Sequence, residues 1–214
     1  MITLWGRANS INVQKVLWTL DELGLAFEHV NAGGHAGGLD DPAFRAMNPH
    51  GRVPVLRDGE AALWESNAIV RYLCARYAPD RLSPTEPAER AQCDAWMDWT
   101  ATLLQPAVMG LFWGFYRTPA AQRNAARNAA LARECARAVE ALDRQLSARP
   151  FVASAALSMA DIPAGTLMFR YFGMEIERPA APAVDGWRVR LEARPAYRRN
   201  VMRPFDELYG RLAF

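Results

Sequence analysis

Residues 48–69 read NPHGRVPVLRDGEAALWESNAI, and the architecture turns on them. Val53–Arg57 and Ala61–Trp64 are short apolar runs joined by Asp58-Gly59, and Asp-Gly between apolar runs is a strong hairpin signal. Glu65–Tyr77 then sets Ile69, Leu73 and Tyr77 at spacings of four, the period of one helix face. The stretch reads ββα. Pro54 is out of place in a sheet strand unless it sits at an edge, at the first position or in a turn. Two readings are open. One is a trans proline that begins an edge strand. The other is a cis Val53-Pro54 bond that turns the Val53 N–H and C=O outward, where an extended peptide can pair with them as an added strand.

Upstream, Ile2–Trp5 is short, apolar and β-prone, and Gly6–Asn9 reads as a turn. Val13, Val16, Leu17, Leu20 and Leu23 fall at helical spacing and Gly24 is a stop, which predicts a helix over Ser10–Leu23. Ala26–Val30 reads as a second strand, giving a βαβ unit whose crossover is long enough for a parallel pair. The loop 31–42 carries Gly33, Gly34, Gly37 and Gly38, matches neither a dinucleotide nor a P-loop fingerprint, and reads as a flexible surface loop. Pro42–Met47 fits a short helix. Downstream, Ala78–Pro87 holds Pro79, Pro84 and Pro87 without periodicity, as an interdomain linker does. Beyond it the chain reads helical: about 88–117, about 120–148 with Leu131, Cys135, Val139, Leu142 and Leu146 on one face, about 158–172, and shorter helices from Pro182. The expected organisation is an α/β unit over 1–78, a linker over 79–87 and an all-helical unit over 88–214.

With 51% hydrophobic and 22% charged residues the chain has the composition of a globular protein with a proper core. No basic segment leads into a long apolar one at the N-terminus, and no run approaches a membrane span, so a soluble, cytoplasmic protein is expected. Cys74, Cys93 and Cys135 are widely spaced in helical patterns, which predicts buried free thiols with neither a disulfide framework nor a metal site. A net charge of +2 does not call for nucleic acid. Lys15 is the sole lysine among 25 lysines and arginines, a bias attributed to base composition rather than to phosphate binding.

Ser66 stands at the start of a predicted helix, where free backbone N–H groups and the helix dipole favour a carboxylate. Glu65 beside it can accept from an ammonium, so the pair suits the two ends of an α-amino acid, although an ordinary helix cap explains the same residues. In the helical part, Met109, Phe112, Trp113 and Tyr116 recur at i, i+3, i+4, i+7. Such a stripe serves a core, a dimer interface or an apolar pocket.

Taken together, the βαβ opening, Asn-Pro-x-Gly-x-Val-Pro-x-Leu, Glu-Ser-x-Ala-Ile-x-x-Tyr-Leu, the proline-rich linker and the helical remainder resemble the cytosolic glutathione transferase family over the whole chain. Ser158-Met-Ala-Asp161-Ile162 resembles that family's capping box in the second domain, with Ser158 as the cap, Asp161 reaching back to its N–H, and Pro163 removing one early helix hydrogen bond. The resemblance implies a thioredoxin-like βαβαββα domain that binds glutathione and a helical-bundle domain that holds a small hydrophobic co-substrate.

It further implies that Val53, with Pro54 cis, pairs with the cysteinyl backbone of glutathione, that Glu65 and Ser66 hold the γ-glutamyl end, and that Arg52 meets the glycyl carboxylate, with His35 and His50 bordering the site. The thiol must be ionised to attack. Ser10 aligns with the family's catalytic serine, threonine or cysteine, and Asn12 with an asparagine of a bacterial group whose members reduce disulfides. No tyrosine lies near the first strand and no cysteine at position 10, while Ile11 and Val13 replace the usual proline and glycine. Phe112, Trp113 and Tyr116 are the expected co-substrate contacts, with Tyr116 or Arg117 facing developing charge. The implied activity is attack of the glutathione thiolate on a hydrophobic electrophile or a peroxide. Glutathione-dependent disulfide reduction and a non-catalytic glutathione or ligand carrier are the alternatives. Glutathione enters as substrate, with no cofactor. A homodimer is implied, with Asp94 or Asp98 reaching the neighbouring subunit's glutathione.

Overall fold

The computed structural model describes residues 1–212, so the last two residues of the expected 88–214 unit lie outside the described residues. The first part runs β1 (Ile2–Trp5), α1 (Ile11–Glu22), β2 (Phe27–Val30), a 3-10 turn (Gly34–Ala36), α2 (Pro42–Met47), β3 (Val55–Asp58), β4 (Ala61–Trp64) and α3 (Ser66–Tyr77). The sheet order is β2-β1-β3-β4, with β1 parallel to β2 and antiparallel to β3. This is the thioredoxin-like arrangement. Ile2, Leu4 and Leu56 of the sheet pack with Val13, Val16, Leu17 and Leu20 of α1 and Ile69 and Leu73 of α3. The boundaries of β3 differ from the sequence reading at both ends. The ladder of β3 begins at Val55, which leaves Val53 outside it behind a cis Val53-Pro54 bond. The hairpin turn is Gly59-Glu60, and Asp58 closes the strand while its carboxylate accepts from Tyr72 (2.8 Å) and Tyr77 (2.6 Å). The loop at 31–42 is exposed over most of its length, although Ala32 and Gly33 are buried.

The second part is helical: α4 (Pro87–Trp99), a π turn (Thr100–Leu104), α5 (Gln105–Leu111), a second π turn (Phe112–Arg117), α6 (Ala125–Ser147), α7 (Asp161–Phe172), α8 (Pro182–Glu192) and α9 (Pro195–Asn200). Residues 87–117 are therefore one rod with two widened turns. Pro106 gives the first a cause, because proline lacks an N–H and its ring crowds the carbonyl four residues back, within the widened segment. The helix expected from about 120 starts at Ala125, where the Asn124 side chain accepts from Arg127 N–H (2.9 Å).

The capping box also differs from its reading. Asp161 does reach back, accepting from Ser158 N–H (2.9 Å), but the Ser158 hydroxyl donates to the same carboxylate (3.1 Å) instead of capping the helix. The other oxygen accepts from Val152 N–H (2.9 Å) and Trp187 Nε1 (2.9 Å). Because α7 begins at Asp161, Pro163 falls in its first turn, where N–H groups have no intrahelical partner; no hydrogen bond is lost there. The three cysteines are buried free thiols. Burial pushes the Cys74 thiol up to about 12, the opposite of an activated nucleophile.

α1 joins the two parts. One face serves the sheet core, and Ile11 and Trp18 enter the core of the helical part. Trp18 is fully buried and meets the Tyr197 ring edge-on, with centroids 4.8 Å apart. At the end of α1, Asp21 pairs with Arg199 (2.8 Å) and Glu22 with Arg194. Among the described residues no helix is long and apolar enough to cross a membrane.

Candidate functional site

The ends of three segments meet at the C-terminal edge of β1: the turn into α1, the turn into β3 and the start of α3. Gly6 follows β1, and a Cβ there would come within 2.5 Å of the Val13 side chain, so only glycine lets the chain turn this tightly against α1. Ser10 takes the N-cap position of α1 with an extended backbone. Its hydroxyl caps no N–H and makes no hydrogen bond among the described residues, so it is available to a ligand at the positive end of the helix.

Asn48 organises the turn into β3. It is buried, donates Nδ2 to the Arg52 carbonyl (2.8 Å) and accepts at Oδ1 from His50 N–H (3.1 Å). Gly51 sits in the left-handed region (φ 59°), where a Cβ would strike the Arg45 guanidinium at 2.5 Å. The chain then passes Val53 and cis Pro54 into β3. The main-chain N–H and C=O of Val53 have no partner among the described residues, which is an edge prepared for strand pairing.

Across from it, Glu65 holds φ 65°, a conformation rare for a residue with a side chain and one that clusters at ligand sites. Glu65 is the N-cap of α3 and provides no side-chain cap, and Ser66 is the first residue inside the helix. The ordinary-cap reading of the pair is therefore not the one realised; the first-turn N–H groups open into a cavity of 240 Å³ lined by Asn12, Lys15, Glu65, Ser66, Asp98 and Gln105. The Ser66 hydroxyl donates to Asn12 Oδ1 (3.4 Å). Lys15 Nζ donates to Gln105 Oε1 (2.9 Å) and, more weakly, to Ser66 Oγ and Asn67 Oδ1 (3.5 Å each). Burial brings the Lys15 ammonium down to about 8, with Glu65 pulling in the opposite direction. The cavity thus offers carboxylate-binding N–H groups, a hydroxyl and a lysine beside an exposed glutamate, partners for both ends of an α-amino acid.

On the other side of Ser10 lies a cleft of 390 Å³ lined by Arg7, Asn9 and His35 of the sheet part and by Glu207, Leu208 and Arg211 of the helical part; none of the aromatic residues expected to contact a co-substrate lines it, and Phe112 and Tyr116 belong to the helical core. Phe112 and Tyr116 are buried and stacked on each other (5.2 Å), and both meet Phe205 edge-on. Trp113 is half-buried, with the Arg117 guanidinium over its ring at 4.1 Å. The chain after α9 crosses this cleft: Gly210 N–H donates to the Tyr116 carbonyl (2.9 Å), Arg117 Nε to the Arg211 carbonyl (2.7 Å) and Asn9 Nδ2 to Glu207 (2.9 Å).

Of the residues singled out in the sequence, Asn12, Glu65 and Ser66 line one cavity and Ser10 stands at the head of the same helix as Asn12. His35 lines the neighbouring cavities with Arg7 and Asn9. His50 is exposed and its ring meets Trp64 edge-on (5.0 Å); Arg52 is exposed. Asp94 and Asp98 are both tied to Arg71 of the same chain. The sequence reading missed Lys15 and Gln105, which approach the cavity from two different parts of the chain, and it missed Arg7 and Arg170 beside the cleft.

The first part of the chain matches the model of the glutathione S-transferase N-terminal domain over residues 4–83, and the second the model of the glutathione S-transferase C-terminal domain over 104–195. The chain is 42% identical over 206 residues to glutathione S-transferase GstB of Escherichia coli strain K12, covering 95% of this chain and 99% of that one. Glutathione S-transferase 4 of Zea mays is 30% identical over 201 residues, covering 91% and 89%. Among solved structures, a theta class glutathione S-transferase from Xanthomonas axonopodis pv. citri, with glutathione bound, superposes with a TM-score of 0.89 at 48% identity, covering 95% of this chain and 98% of that one.

Proposed function

The chain belongs to the glutathione S-transferase family, and from that premise we propose that it ionises the glutathione thiol at the head of α1 and directs the thiolate at a small electrophile held in the cleft beside Asn9 and His35. The observation that carries this reading is the pairing of an unpartnered Val53 main chain, behind cis Pro54, with an uncapped α3 N-terminus at Ser66. In this pose Val53 pairs with the cysteinyl unit, Ser66 and Lys15 take the γ-glutamyl carboxylate, Glu65 takes the ammonium, and the sulfur falls toward Ser10. The Ser10 hydroxyl donates to the sulfur, and the α1 dipole adds to the stabilisation of the thiolate. Asn12, turned toward Ser66, acts on the glutamyl end rather than on the sulfur. Arg52 and His50, both exposed, and His35 border the glycyl end. The reaction draws on glutathione as substrate and on no cofactor. The setting is cytoplasmic and the role detoxification.

The test is an ultraviolet difference titration of bound glutathione against pH. A bound thiol well below its ordinary value near ~8.5 is expected, and Ser10→Ala is expected to raise it and to lower kcat by about ten- to a hundredfold. Saturable binding with an unshifted thiol in the wild type would favour the carrier reading instead.

The protein is further proposed to work as a homodimer. Trp64 on the edge strand and Leu103 on the long rod are exposed apolar side chains, the latter at 58%, and a second copy would cover them. Light scattering behind size exclusion is expected to give twice the chain mass of 23.9 kDa, and a monomer at micromolar concentration would refute it.

A further inference from the structure

The one lysine of the chain lines the cavity at the start of α3, and its nearest partner comes from the helical part. Lys15 is 1% exposed, and its shortest hydrogen bond runs to Gln105 Oε1 (2.9 Å), against 3.5 Å to Ser66 Oγ and to Asn67 Oδ1. All three acceptors are neutral, and no carboxylate pairs with the ammonium among the described residues. Two carboxylates do line the same cavity, but Asp98 is tied to Arg71 and Glu65 is exposed. Gln105 opens α5, and it lines the cavity with Asp98 and Ala101 at spacings of four and three along the rod. An ammonium only donates, so the oxygen of the Gln105 amide is the atom that meets it and both Nε2 hydrogens are left over. Nε2 makes no hydrogen bond among the described residues, and Gln105 is half-buried at the cavity wall.

A buried ammonium held only by neutral oxygens lacks the counter-charge that burial calls for, and an anion entering the cavity supplies it. In the pose given above that anion is the γ-glutamyl carboxylate. We propose that Gln105 completes the seat of this carboxylate: its Oε1 fixes the Lys15 ammonium, its Nε2 donates to the carboxylate, and the first-turn N–H groups of α3 take the remaining lone pairs. This rests on the transferase reading and adds to it a residue of the helical part that reads the glutamyl end, so that the thiols accepted are those with a free carboxylate there. Leucine at position 105 removes the donor and leaves Lys15 with only its two longer bonds. Glutamate keeps the shape, pairs with Lys15 and repels the incoming carboxylate. Both changes act against a ligand that carries the carboxylate and spare one that does not.

The test measures by calorimetry the binding of three thiols: glutathione, 4-aminobutanoyl-cysteinylglycine, which lacks the γ-glutamyl carboxylate, and glutaryl-cysteinylglycine, which keeps that carboxylate and lacks the amine. The wild type is expected to bind glutathione about ten- to a hundredfold more tightly than the aminobutanoyl compound, the range of one or two charge-assisted hydrogen bonds. Gln105→Leu is expected to weaken glutathione and the glutaryl compound by the same factor, about tenfold, and to leave the aminobutanoyl compound unchanged. Gln105→Glu is expected to weaken the first two further and again to spare the third. Equal binding of glutathione and the aminobutanoyl compound by the wild type, which requires no variant to fold, would overturn the proposal and leave glutathione binding itself in place. So would a Gln105→Leu variant that weakens all three ligands alike, since the glutamine would then only shape the cavity, or one that weakens none. Failure of the wild type to bind glutathione at all would sink the underlying transferase reading along with it.

Discussion

Lys15 holds an ammonium where burial disfavours it, and its pH behaviour follows from that. The group releases its proton near 10.5 in the unfolded chain and near 8 in the folded one. Below pH 8 it is charged in both states and the fold bears the burial penalty. Between pH 8 and 10.5 the folded chain has shed a proton that the unfolded chain still binds, so the contribution of Lys15 to stability rises across that window. Lys15→Met is therefore expected to stabilise the protein at pH 7 by up to about 3 kcal/mol, an advantage that shrinks above pH 8 and vanishes near 10.5. Urea midpoints as a function of pH measure this. The same variant is expected to raise the KM for glutathione about tenfold, because the γ-glutamyl carboxylate loses its buried cation. Glu65 and Ser66 were legible in sequence because a helix start is marked by its residues. Lys15 was not. It is one of three buried polar side chains, with Gln14 and Thr19, on a helix whose apolar positions alone set the pattern, and its neighbours Gln105 and Asn67 are 90 and 52 residues away. Arg170 was hidden differently: in a chain so rich in arginine, one more on a helix carries no signal, and only packing shows that it points inward.

At the scale of elements, the segment between α6 and α8 hangs on one carboxylate. Asp161 satisfies two main-chain N–H groups, a hydroxyl and an indole, all inside the protein. Its ordinary acidity is opposed by complete burial and supported by those four donors. Asp161→Ala leaves the donors unpaired and is expected to destabilise the protein by roughly 3–5 kcal/mol, read from the urea midpoint. Asp161→Asn, which keeps part of the network, is expected to fall between the two. The existence and order of the elements were legible from periodicity and from the Asp-Gly, Gly and Pro punctuation, and the β1, α2 and β4 boundaries read from sequence are those found. The π turns were not legible, since an i→i+5 register has no residue signature beyond Pro106. The cap expected from Ser158 failed because a hydroxyl beside a buried carboxylate donates to it before it accepts from an N–H.

For the whole molecule, the proline-rich linker invites a picture of two independent bodies, and α1 argues against it. Trp18 belongs to the helical core although it lies between the first two strands, and the Asp21 and Glu22 ion pairs fasten the same helix to α9 and its approach. A single coincident unfolding transition by tryptophan fluorescence and far-ultraviolet circular dichroism is expected, rather than two. Trp18→Ala is expected to cost about 3–5 kcal/mol and to lower the midpoint of both signals together. Separate midpoints in the wild type would show that the two parts fold on their own. The placement of Ser10 and Asn12 on α1 ties the proposed site to this shared helix: neither can shift without moving the contact between the two halves.

The solitary, enclosed Lys15 also has a use at the bench. It is the one side-chain amine in the sequence, and the fold leaves it 1% exposed. Reagents that react with side-chain amines will therefore reach it only where the fold opens, so the rate of labelling reports that opening. A reporter of this kind ordinarily requires an engineered handle, and this fold supplies it by burying its one lysine.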